Sequence, residues 1–86
     1  MKMIIAVFRD ADTDVVTQAL TSANFRMTRV ASTGGFLRRG TTTCLIGVDD
    51  DKVEEVITLM REKTTSAPGE KRAAVFVVPV ERFEQI

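Results

Sequence analysis

The groups in this chain best suited to recognise a small molecule lie in one stretch, Arg26-Met-Thr-Arg-Val-Ala-Ser-Thr-Gly-Gly-Phe-Leu-Arg-Arg-Gly-Thr-Thr-Thr43. Gly34 and Gly35 free the backbone to adopt positive φ and to approach a ligand closely, with N–H groups turned toward an anion. Arg38 and Arg39 add cations of the kind that hold a phosphate or a carboxylate. Phe36 and Leu37 form a large apolar pair beside the glycines, with no sheet or helix around them to bury it. One reading is a ligand-gripping loop; the other is a long β-hairpin connection with a partly exposed phenylalanine.

Other chemistry finds little support. The chain has no histidine and one cysteine, Cys44, so the usual metal-ligand sets, a disulfide framework and a Cys–His nucleophile pair are all missing. Cys44 falls in an apolar strand pattern and reads as a small buried hydrophobe. Acid–base catalysis needs a His, a Lys or a carboxylate with a shifted pKa in a cleft. The carboxylates fall instead at helix starts and on polar helix faces, as with Glu54, Glu55 and Glu62. The chain is therefore read as not an enzyme. Its 12 basic and 12 acidic residues cancel, which argues against a nucleic-acid polymer or a membrane surface as partner. The apolar run Met3–Phe8 is too short to span a bilayer, and no signal peptide precedes it. A soluble, cytoplasmic protein is expected. With 86 residues, of which 44% are apolar, residues 1–86 form a single domain on this reading.

The elements that position this stretch follow from the hydrophobic pattern. Met3–Phe8 is continuously apolar and reads as a strand buried on both faces. Asp10, Asp12 and Asp14 mark a helix start, with Asp10 or Asp12 as N-cap. Val16, Ala19, Leu20 and Ala23 form the apolar stripe of that helix, and Asn24 stops it. Phe25–Ala31 has a β pattern. The Gly34–Gly40 loop leads to a hairpin partner, Thr42–Val48, in which Gly47 marks a bulge or a place of close approach. Asp49–Asp51 cap a second helix carrying Val53, Val56, Ile57 and Met60. Thr64–Arg72 is a loop, with Pro68-Gly69 as its turn. Ala73–Val80 is a strand apolar on both faces, limited by Pro79, and Phe83 and Ile86 are docking points on a short tail.

The order β-α-β-β-α-β is that of an α+β, ferredoxin-like fold: a four-stranded antiparallel sheet with both helices on one face. Two such helices cover one face only, yet the first and last strands are apolar on both. Either a second copy of the chain covers the other face, or that face stays moderately exposed.

At Thr33-Gly-Gly-Phe-Leu-Arg-x-Gly-x-Thr-Thr43 the sequence resembles the PII-like cyclic-di-AMP receptors of bacterial signal transduction. The likeness extends to Met1-Lys-Met-Ile-Ile-Ala6, Asn24-Phe25-Arg26, Gly47-Val48, Val75-Phe76-Val77 and Pro79-Val80. It implies a PII-like homotrimer with sheets packed toward its centre, cyclic-di-AMP bound in the clefts between subunits, no cofactor, and a regulatory protein partner. Carried over by position, the pocket would use Arg26 and Thr28, then Gly35, Phe36 and Leu37 as backbone donors and apolar wall. Gly47 would let an adenine edge meet the backbone, and Phe76 and Gln85 would come from the last strand and the tail. Two departures stand out. Members commonly have Gly-Asn-Thr-Thr where this chain has Gly40-Thr41-Thr42-Thr43, so Thr41 brings a hydroxyl in place of an amide. The long connection before the last strand is here only Glu62–Arg72. The readings alternative to a cyclic-di-AMP sensor are a module for another adenine nucleotide or anion, and a structural trimer that docks a protein through Phe36 and Leu37.

Overall fold

The computed structural model describes residues 1–30, 40–65, 69 and 71–86. The continuous apolar run becomes β1 (Lys2–Arg9), the first amphipathic segment α1 (Thr13–Ser22), and the hairpin strands β2 (Met27–Val30) and β3 (Thr41–Val48). The second amphipathic segment is α2 (Val53–Lys63), and the chain returns in β4 (Ala73–Pro79). The four strands lie in the order β2-β3-β1-β4, every neighbouring pair antiparallel. This is the expected βαββαβ fold.

The core forms between one face of the sheet and the helices. Ile4, Ala6 and Phe8 of β1 meet Cys44, Ile46 and Val48 of β3, under Val16 and Leu20 of α1 and Val56 and Met60 of α2. These residues recur at the spacings that put them on one strand face or one helix stripe. Cys44 is fully buried, and burial pushes its thiol up to about 11. Among the described residues no helix is long and apolar enough to cross a membrane.

The helix ends are built differently from expectation. Asp12 holds the N-cap position of α1, as expected, but neither it nor Asp10 makes a side-chain capping hydrogen bond. Both lie in a 3-10 turn, Asp10–Asp12, that precedes the helix, and their carboxylates go to distant partners. A matching 3-10 turn, Asp50–Lys52, precedes α2, and Asp49 satisfies it through its backbone carbonyl, which accepts from Lys52 N–H at 2.9 Å, with no side-chain cap. Asn24 does end α1, at φ 66°. Phe25 N–H donates to Leu20 O and Asn24 N–H to Thr21 O, which is the Schellman arrangement. That closure takes Phe25 out of the ladder and onto the core, so β2 begins at Met27 instead of Phe25. Gly47 is no bulge: it pairs with Met3 in unbroken register. α2 ends where Thr64 Oγ1 donates back to Met60 O at 2.6 Å.

Candidate functional site

Strand alternation turns Met3, Ile5 and Val7 away from the core residues Ile4, Ala6 and Phe8. Cross-strand pairing carries that second face across the whole sheet. Thr28 pairs with Leu45, Leu45 with Ile5, and Ile5 with Phe76, so these four form one rung. Val30, Thr43, Val7 and Ala74 form the rung on one side of it. Gly47, Met3 and Val78 form the rung on the other. The face is mostly apolar, and neither α1 nor α2 covers it. Phe76 is 44% exposed and Val78 37%, while Val7 and Thr43 are buried within the single chain.

Four of the nine sequence-selected residues stand on this face. Thr28 stands on it at the β2 edge and Phe76 at the β4 edge. Thr41 and Gly47 occupy its two ends on β3, Thr41 opposite Arg9 and Gly47 opposite Met3. Arg26 lies one residue before β2 and is exposed; extending the alternation by one pair puts it on the same side as Thr28. Gln85 is exposed in the tail beyond β4, and Phe83 and Ile86 are exposed beside it. Gly35, Phe36 and Leu37 lie outside the described residues.

Thr28 and Phe76 are three strand spacings apart, about 14 Å. Among the described residues, Gly47 and Thr41 line separate recesses. A recess of about 770 Å³ runs between the two helices past Val15, Ala19 and Leu59 and holds none of the selected residues. Gly47 lines a separate recess of about 420 Å³ with Met1, Phe25 and Asp49. Thr41 lines another of about 190 Å³ with Arg9, Lys71 and Arg72. Among the described residues the edges of this face form an open platform at Phe76 and Val78. A Cβ on Gly47 would meet only the tip of the Met1 side chain, at 3.4 Å, so the platform is nearly bare backbone at that point.

The ends of the two connections on either side of α1 are held by side chains that sequence reasoning took for caps. Thr42 Oγ1 donates to the Asp10 carboxylate, and Thr13 Oγ1 lies 2.9 Å from Thr42 Oγ1. Thr42 has one hydroxyl proton and gives it to Asp10, so Thr13 must be the donor to Thr42. Asp10 N–H donates to Gly40 O at 2.9 Å. Asp12, 5% exposed, accepts from Thr65 N–H at 2.9 Å and from the Thr65 hydroxyl. The local acid-after-strand pattern hid these partners, which lie 32 and 53 residues away.

Among the described residues, no group of three or more His, Cys, Asp or Glu is placed to hold a metal ion. A crystal structure of a protein from Pediococcus pentosaceus, titled as functionally unknown, is 30% identical to this chain. It superposes with a TM-score of 0.80, over 99% of this chain and 96% of that one. The family described as cyclic-di-AMP receptor matches residues 1–69, from β1 through α2 and into the connection that follows. That span covers most of the chain, which thus belongs to the PII-like cyclic-di-AMP receptor family.

Proposed function

We propose that this protein is a non-catalytic sensor that binds cyclic-di-AMP in the clefts between subunits of a homotrimer. The observation that carries the reading is the rung Thr28–Leu45–Ile5–Phe76 on an apolar face that is exposed at its two edges. Its two end residues lie too far apart to grip one base within a single chain. A second copy, bringing its β4 edge toward the β2 edge of the first, would close the pocket and cover the apolar face together. Membership of the receptor family supports the choice of ligand.

In such a cleft each residue has a task. Arg26 offers a guanidinium to a phosphodiester, and the Gly35–Leu37 segment supplies backbone N–H groups and an apolar wall. Thr28 hydrogen-bonds an adenine edge, Gly47 lets the base approach the strand, and Phe76 gives it a ring to pack on. Thr41 and Gln85 complete the polar rim. Residues 1–86 act as one domain in a reducing, cytoplasmic setting, without cofactor. Ligand binding changes the connections around the cleft and so gains or loses a protein partner.

The test is calorimetric titration with cyclic-di-AMP, ATP, ADP and cyclic-di-GMP, alongside a solution mass. Binding of cyclic-di-AMP alone, near one per chain in a trimer, is the expected result. A second reading is favoured by Thr41, which stands where relatives commonly carry asparagine, and by the short Glu62–Arg72 segment. It makes the ligand another adenine nucleotide or anion. ATP or ADP binding with no heat from cyclic-di-AMP selects it.

A further inference from the structure

We infer that the 3-10 turn Asp10–Asp12 is a mechanical link that ties the β2–β3 connection to the α2–β4 connection. The inference rests on the sensor reading where it concerns the ligand, and on the described geometry where it concerns the link. The turn is three residues long, and each of its two carboxylates is committed to a different connection. On one side, Asp10 receives Thr42 Oγ1–H, and its N–H is bonded to Gly40 O at 2.9 Å. Gly40 and Thr42 are the first residues after the segment that carries Gly35, Phe36 and Leu37. On the other side, Asp12 receives both donors of Thr65, the N–H at 2.9 Å and the hydroxyl at 2.9 Å to Oδ1. Thr65 is the second residue beyond α2.

The chemistry makes these ties stiff. The Asp12 carboxylate is almost fully buried, and Thr65 is the donor residue bonded to it. Moving Thr65 away would strip a buried anion of its hydrogen bonds, so Thr65 follows Asp12 wherever the turn goes. Thr42, also buried, sits in a relay from Thr13 to Thr42 to Asp10, so α1 itself is anchored to the same point. Both carboxylates hang from the same three residues of backbone, so a backbone shift at one carries the other with it. A change in where Gly40 and Thr42 sit, as when a ligand engages the residues just before them, therefore reaches Thr65 through about three residues of backbone. By reciprocity, a partner that holds the α2–β4 connection in one position alters the affinity for the ligand.

Hydrogen–deuterium exchange on the full chain tests this in two arms. In the first, without ligand, Thr42→Val removes one donor to Asp10 and keeps the side-chain shape. The Thr65 amide should then exchange about fivefold faster or more, as expected for a weakened hydrogen bond, while the centres of β1 and β3 keep their protection. Asp10→Asn serves as a second variant with the same expectation. Thr17→Val, which removes a hydroxyl from α1 outside the turn, should leave the Thr65 amide unchanged. An unaltered Thr65 amide in both Thr42→Val and Asp10→Asn, or equal acceleration in Thr17→Val, overturns the link.

In the second arm, cyclic-di-AMP is added to wild type, Thr65→Val and Thr65→Ser. Wild type and Thr65→Ser should show altered exchange over both 40–43 and 64–72, and Thr65→Val over 40–43 only. Binding that leaves residues 64–72 of wild type unchanged overturns the link as a ligand relay while the sensor reading stands. Failure of wild type to bind overturns the sensor reading, and the first arm then decides the link alone.

Discussion

Thr28 and Phe76 face the same way from one rung of the sheet and stand at its opposite edges, with Leu45 and Ile5 between them. About 14 Å of apolar surface separates them within one chain, and in the proposed trimer a cleft draws Thr28 from one copy and Phe76 from its neighbour. Thr28→Ala and Phe76→Ala should each weaken cyclic-di-AMP binding by about fivefold or more. Co-expressed in equal amounts, the two variants should recover wild-type affinity in about one quarter of the clefts, those that draw Thr28 from one variant and Phe76 from the other. Titration of the mixed oligomer reads this as a tight-binding fraction. If one chain supplies both residues, no tight fraction appears.

Arg26 is exposed and makes no ion pair among the described residues. Arg26→Ala should change unfolding free energy by less than about 0.5 kcal/mol and cost about 1 kcal/mol or more in ligand affinity. Urea denaturation and titration of the same preparation separate the two effects. Equal affinity in Arg26→Ala would remove Arg26 from the site.

Gly47 separates fold from recognition even more directly. Its added Cβ would touch only the flexible end of Met1, and the strand gains from losing a glycine. Gly47→Ala should keep or slightly raise the melting temperature, by an amount worth about 0.5 kcal/mol, while ligand affinity falls. Unchanged affinity would show that nothing packs on the bare backbone there.

Asp12 depends on Thr65 for hydrogen bonds to a buried carboxylate. Thr65→Val leaves it the N–H alone and should lower stability by about 1–2 kcal/mol, although Thr65 itself is exposed. Thr65→Ser should restore most of that loss. Chemical denaturation of the three proteins gives the comparison.

Cys44 supplies the pH dependence. Its thiol is raised to about 11 in the folded chain by burial, against an ordinary value of 9.0. Above the ordinary value the unfolded chain releases this proton while the folded chain keeps it. Stability from this group is therefore complete below pH 9 and falls as pH rises toward 11, by up to about 3 kcal/mol. Cys44→Ala should flatten that alkaline limb in denaturation curves, and iodoacetamide at pH 8 should label the native protein far more slowly than the unfolded one.

The architecture was legible because its signals are local. The apolar run of β1, the stripes on α1 and α2, and Asn24 as a helix stop depend on neighbours within a few residues. What stayed hidden depends on partners far along the chain. Asp10 and Asp12 looked like caps because a cap needs only the next turn, whereas their actual donors, Thr42 and Thr65, arrive through the fold. Phe25 looked like strand until the Schellman closure drew it to the core. The site was half legible in the same sense. Alternation along β2, β3 and β4 fixes which residues share a face, but the distance from Thr28 to Phe76 emerges only from the strand order. The residues of the Gly35–Leu37 segment lie outside the described structure.

Val30 at one edge of the sheet and Phe76 and Val78 at the other, all exposed, bear on how long a newly made chain survives. An uncovered apolar surface is what chaperones and quality-control proteases recognise, and it invites faulty association while the chain is alone. In the proposed trimer a copy that finds its companions hides that surface; a surplus copy does not. Cells would thus carry little of the free chain, clearing whatever fails to assemble and keeping the pool close to the number of finished receptors.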